Sequence, residues 1–166
     1  MFNNISRKKN KFNRLRLESL SSFNAYTFFK LPSAWWTGVR LTKVEDQLTE
    51  VSVKHRWVNQ NPFGSMFWAV QGMAAELPTG LLVMKAIDDS KRKVSMLVTH
   101  QEADFYKKAS GRITFSCTGG NEIRDAIQKS IETSEGQKIV LTAEGKNENG
   151  VVVSKFHFHW SIKVKS

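Results

Sequence analysis

At 166 residues the chain is long enough for one domain with a buried core and short for two. Its 40% hydrophobic and 24% charged content is that of an ordinary globular protein, and no stretch nears the roughly 20 apolar residues that span a bilayer. The net charge of +10 raises nucleic acid as a partner, yet Arg7, Lys8, Lys9, Lys11, Arg14 and Arg16 all precede the first acid, Glu18. The basicity is therefore largely a tail property, read either as a solvated extension or as a hold on an anionic partner. No strand face interleaves aromatic and basic residues as single-strand binders do, so nucleic acid is not an expected partner. A single cysteine, Cys117, excludes an internal disulfide and, with no apolar leader at the start, suits a reducing, cytoplasmic setting.

Residues 1–10 are polar and basic and read as a flexible tail, leaving 11–166 as a single domain. Phe12, Leu15, Leu20 and Phe23 recur at near-helical spacing, which predicts a helix over 11–30 ended by Pro32. Val39, Leu41 and Val44, then Val51, Val53 and Trp57, predict two strands around a turn at 45–47. His55 falls on the second of them.

The segment NPFGSMFWAVQGMAAELPTG opens with a turn at Pro62 and Gly64. Ser65 is placed to cap a helix over 66–77, and Pro78 is expected to kink or break it before another turn or two. After Arg92 the pattern alternates: Val94, Met96 and Val98 on one strand face, then Ile113, Phe115 and Cys117 on another. His100 is expected where the first of these strands enters a loop. Residues 121–135 form an inserted amphipathic helix, capped by Asn121, faced by Ile123, Ile127 and Ile131, and ended by Gly136. Asn149-Gly150 marks a closing hairpin, whose last strand carries Phe156, Phe158, Trp160, Ile162 and Val164 on one face. The order predicts an α+β fold, an antiparallel sheet wrapped around a long central helix.

Few residues invite chemistry. His157 and His159 share a strand face, but no third ligand follows in any metal-binding spacing, so no metal and no cofactor are expected. Cys117 sits on an apolar strand face, where a thiol behaves as an inert hydrophobe. No nucleophile elbow, Walker loop or dinucleotide fingerprint is present. Glu76 stands out instead. No Lys or Arg occurs between Arg56 and Lys85, so no helical neighbour can neutralise it. Among Met73, Ala74, Ala75 and Leu77 its carboxylate would be partly desolvated, making it a better proton acceptor. The helix start would offer free N–H groups to a developing oxyanion.

These residues resemble the hot-dog-fold thioesterase-like superfamily, in a poorly characterised acyl-CoA thioesterase-like branch. The pattern N-x-x-G-[ST]-x-F, then small residues and an acid, is met by Asn61, Gly64, Ser65, Phe67 and Ala74-Ala75-Glu76, with Gly80 following. The likeness covers about 32–165, including the aromatic-then-A-x-G link in DFYKKASGRI. Better-known members carry His-Gly-Gly nine positions before the acid. Here that register holds Phe67, Trp68 and Ala69.

The resemblance implies hydrolysis of an acyl-CoA or acyl-carrier thioester, with Glu76 activating water or attacking the carbonyl. It implies that Asn61 and Gln71 orient water or the carbonyl, and that the Trp68 and Ala69 N–H groups bind the oxyanion. Phe67, Val70 and Met73 would meet the acyl chain, or serve as core. Lys107 and Lys108 would meet CoA phosphates, or simply solvate their loop. A homodimer, often paired into a homotetramer, is implied as well. The lost His-Gly-Gly keeps a second reading open, a non-catalytic protein of the same fold that binds acyl-CoA or a fatty acyl group.

Overall fold

A computed structural model describes residues 19–165. The expected tail over 1–10 and the first part of the expected 11–30 helix lie outside them. Among the described residues, α1 (Leu20–Lys30) begins where Ser19 accepts a hydrogen bond from the Ser22 N–H, 3.1 Å away. The expectation of one helix starting at residue 11 is thereby corrected: Ser19 is extended backbone, and the helix starts after it. Pro32 does not simply end α1. It occupies the first position of a short helix, α2 (Pro32–Trp36), where its missing N–H costs nothing.

The strands are β1 (Arg40–Val44), β2 (Leu48–Lys54), β3 (Val94–Phe105), β4 (Arg112–Thr118), β5 (Gln137–Asn147) and β6 (Val152–Val164). They form one antiparallel sheet in the order β1-β2-β4-β5-β6-β3. Between β2 and β3 runs α3 (Trp68–Ser90), 23 residues and about 35 Å long, packed on β2, β4, β5 and β6. A further helix, α4 (Gly120–Thr133), lies between β4 and β5 and packs on α3, β5 and β6. Alternation places Ile113, Phe115 and Cys117, then Phe156, Phe158, Trp160 and Ile162, on the face turned to α3. The core is thus a helix held in a sheet, α+β as the pattern predicts. No described helix is long and apolar enough to cross a membrane.

Four local expectations are corrected. Pro78 neither breaks nor ends α3; it is buried in mid-helix. Its missing N–H forfeits one bond, but the flanking Ala74, Ala75, Thr79, Leu81 and Leu82 are all buried. Packing over that length outweighs one lost ladder bond. The Thr79 hydroxyl also donates to the Glu76 carbonyl at 2.8 Å, adding a bond within the same turn. Trp57 leaves the strand for a 3-10 turn (Trp57–Asn59), because buried Asn59 ties its side chain to the carbonyls of Lys54 and Thr37 and to the Arg56 N–H. His55 accordingly lies just past the end of β2. His100 sits in the middle of β3, which runs unbroken to Phe105. α4 starts after Gly119, not Asn121, and ends at Ser134 in left-handed backbone, because Ser130 is buried there. Its hydroxyl donates to the Glu135 carbonyl and accepts the Val164 N–H, turning the chain before Gly136 is reached.

Gly145 leaves no room for a side chain against the aromatic core. A Cβ there would meet the Phe115 ring at 2.5 Å, and Phe115 is fully buried. Gly145→Ala is expected to cost about 1–3 kcal/mol, measured as a fall in thermal midpoint of roughly 2–4 °C per kcal/mol.

Candidate active site

The loop entering α3 is built by its own polar groups. The Asn61 side-chain oxygen accepts from the Phe63 N–H at 2.9 Å and the Ser65 N–H at 3.2 Å, while its amide donates to the Ser65 hydroxyl at 3.1 Å. Gly64 is left-handed, with φ +71, a conformation that glycine adopts without a steric penalty. The asparagine-to-serine motif therefore shapes a turn. Ser65 spends its hydroxyl on Asn61 and does not cap the helix, which starts three residues later, at Trp68. The Met66 and Phe67 N–H groups bond Ala109 and Asn59 carbonyls, fixing the direction in which the chain enters α3.

The first N–H groups of α3, on Trp68 and Ala69, have no backbone carbonyl bonded to them among the described residues and sit at the positive end of the helix. Phe63, Phe67 and Trp68 stand exposed around this end. Lys107 and Lys108 are exposed on the loop after β3, with the Lys108 ammonium donating to the Phe63 carbonyl at 3.0 Å.

Glu76 lies eight residues further along, about 12 Å up the axis from Trp68. Among the described residues no hydrogen bond or ion pair holds its carboxylate. Glu76 is an exposed residue whose inner flank lies against the apolar side chains of a cavity. That partial burial raises the carboxyl above its ordinary value.

The walls belong to a cavity of about 360 Å³. Met73, Leu77 and Gly80 flank Glu76 on α3, while Phe23, Tyr26 and Leu31 close the cavity from α1 and its junction with α2. Trp160 of β6 and Met96 of β3 complete it. The Trp160 indole N–H donates to the Thr79 hydroxyl at 3.1 Å, which fixes the ring against α3.

The structure does not gather every expected site residue. Gln71 is buried on the sheet side, roughly 140° around the helix from Glu76. Its side-chain oxygen accepts from the Ser154 hydroxyl at 2.9 Å, and its amide donates to the Met66 carbonyl at 3.3 Å. It is thus a buried strut. Asn61 likewise serves its loop, ahead of the start of α3, which lies about two turns from Glu76. Val70 is core, Phe67 is exposed at the helix start, and only Met73 of the expected acyl-chain wall shares the cavity with Glu76. Phe23, Tyr26, Leu31 and Trp160 are additions; their apolar spacing signals burial but cannot distinguish a cavity wall from a core.

Other titratable clusters are elsewhere. His100 and His159 rings meet at 4.9 Å on the outer sheet face, and His157 faces the Thr142 hydroxyl at 2.9 Å. Among the described residues no three His, Cys, Asp or Glu side chains are grouped to hold a metal ion. Burial, with a lesser contribution from Glu122, pushes the Cys117 thiol up to about 12, which keeps it protonated and unreactive.

The chain was compared with known proteins. No curated protein matches it. Solved structures do, with a shared fold at low identity. A Pseudomonas aeruginosa protein of unknown function, called a probable thioesterase, superposes with a TM-score of 0.75 at 20% identity, covering 87% of this chain and 96% of its own. A Chlorobaculum tepidum protein of unknown function gives 0.75 at 15% identity over 89% and 98% of the two chains. A Haemophilus influenzae thioesterase gives 0.67 at 14% over 90% and 94%. The six-stranded antiparallel sheet on a 23-residue helix is the hot-dog fold of these thioesterase-like neighbours. The family model described as a domain of unknown function, DUF4442, matches residues 21–162, and with nearly all of its described elements inside that span the chain belongs to this family.

Proposed function

We propose that the protein hydrolyses acyl thioesters, of the acyl-CoA or acyl-carrier kind. The observation that carries this is the unpaired Glu76 carboxylate at the rim of an apolar cavity on the central helix. Glu76 takes a proton from water as the water oxygen forms a bond to the thioester carbonyl carbon. The resulting oxyanion is held by N–H groups, the C–S bond breaks, and the thiol leaves with the proton that Glu76 held. A raised carboxyl value suits both halves of that exchange.

Within one chain the Trp68 and Ala69 N–H groups lie too far from Glu76 to share a carbonyl. The reading therefore includes a homodimer, in which the helix start of a second copy faces Glu76. β3 supports it: among the described residues it is an edge strand of twelve residues paired with β6 on one side only, so the backbone groups of about every second residue point outward and are open to a second chain. Exposed Lys107 and Lys108 would meet the phosphates of CoA, a cytoplasmic carrier. A second reading, acyl binding without hydrolysis, draws on Trp68, whose bulk stands where the better-known enzymes carry glycine.

Glu76→Gln is expected to lower thioester cleavage, followed by thiol release, by about 10²–10⁴-fold. An unchanged rate sinks the assignment. The wild-type rate should rise with pH to a plateau reached above the ordinary carboxylate range, since the ionised form is the base.

Stability should run the opposite way. The folded protein favours the neutral form, so the Glu76 contribution to stability is lost as pH rises through the ordinary and then the raised value, opposite in sign to that of Asp46 and Glu144, whose carboxyls are held down by lysines. Glu76→Gln should remove that contribution, seen as a gain in melting temperature relative to wild type that is larger at pH 8 than at pH 4.

Trp68 is the first residue of α3, a position where proline is tolerated, and Phe67 is already extended. Trp68→Pro thus deletes the proposed oxyanion N–H while keeping the helix. It is expected to cost about 10²–10³-fold in kcat relative to Trp68→Ala. Equal rates for the two variants would remove Trp68 from the mechanism.

A further inference from the structure

We infer that the cavity under α1 and α2 is the acyl-chain site, that it takes chains of medium length, and that Glu76 makes it prefer an uncharged thioester over a free fatty acid. The inference rests on the thioester reading for its substrate class and on the cavity itself for the rest. Its volume of about 360 Å³ lies within the range of small-molecule sites. At roughly 30 Å³ per methylene-sized unit, that is room for on the order of ten carbons.

The wall has the chemistry of a hydrocarbon site. Among the described residues Glu76 is its sole carboxylate and no Lys, Arg or His lines it. Three of the chain's five methionines, Met73, Met84 and Met96, line it, and their flexible thioethers adapt to a mobile chain. Gly80 keeps the space open: a Cβ there would already touch the Trp160 ring at 3.4 Å, and anything longer would enter the cavity. Because the outer wall is α1 and α2, these helices set how long a chain can be accepted.

A thioester places a neutral carbonyl beside Glu76. A fatty acid places a second carboxylate there, and two adjacent like charges cannot both stay ionised cheaply. The product of hydrolysis is therefore pushed out by the same residue that formed it.

The test is calorimetric titration of non-cleavable S-alkyl-CoA thioethers, from four to sixteen carbons, into the full chain. Affinity should rise up to about fourfold per methylene and level off near ten carbons. Met84→Trp, which fills the cavity, should move the break shorter by several carbons. Leu31→Trp at the half-exposed rim does the same should Met84→Trp fail to fold. Decanoate should bind more weakly than the ten-carbon thioether at neutral pH, and Glu76→Gln should narrow that gap by about tenfold.

Affinity indifferent to chain length, or a break unmoved by both variants, overturns the cavity assignment even where thioesters are cleaved. The expected break without any thioester cleavage leaves the cavity assignment standing and removes the hydrolase. A gap unchanged in Glu76→Gln overturns the role given to its charge.

Discussion

Everything in this molecule depends on how closely α3 lies against the sheet. Ala74 and Ala75 are fully buried at the contact. At Gly72 a Cβ would stand 3.6 Å from the Phe156 ring, and on the strand side Gly145 leaves its space to Phe115. Small residues face large aromatic ones across the interface, so helix and strands interdigitate at core density. Two buried polar links then set the helix in place. Gln71 with Ser154 and Thr79 with Trp160 join α3 to β6 at points about two turns apart, and each would leave an unpaired buried group if the helix slid.

That clamped orientation decides what the rest of α3 can do. With one side committed to the sheet, Met73, Glu76, Leu77, Gly80 and Met84 recur every three or four residues along another side and face α1 and α2. The interior proline belongs to the same logic. Helical hydrogen bonding alone would not carry a helix through Pro78, but a helix already gripped on both sides of it loses little. A carboxylate two residues before that proline is then held against apolar walls with no cation paired to it among the described residues, and its partial desolvation raises its proton affinity.

Legibility differs between residues for physical reasons. The strands around 113–117 and 156–164 were readable because burial on one sheet face imposes strict alternation. Glu76 was readable because the lack of nearby cations is a linear property of the chain. Two local signals in the long helix mislead: Ser65 has the chemistry of its cap and Pro78 that of its break. Asn61 competes for Ser65, and core packing overrides Pro78, and neither fact is local. Gln71 looked like a site residue since it is polar on an apolar helix. Its partner, Ser154, is 83 positions away along the chain.

The sequence by itself determined the periodicities, the turns at Gly64 and Asn149-Gly150, and the lack of any cation neighbouring Glu76 along its helix, since each depends on residues a few positions apart. Only the tertiary structure decided which side of α3 Glu76 occupies, that α1 and α2 close a cavity beside it, and that Asn61 and Gln71 are spent on holding the scaffold. Those outcomes arise from contacts between distant segments, where packing and buried hydrogen bonds select among arrangements that local preference leaves equal.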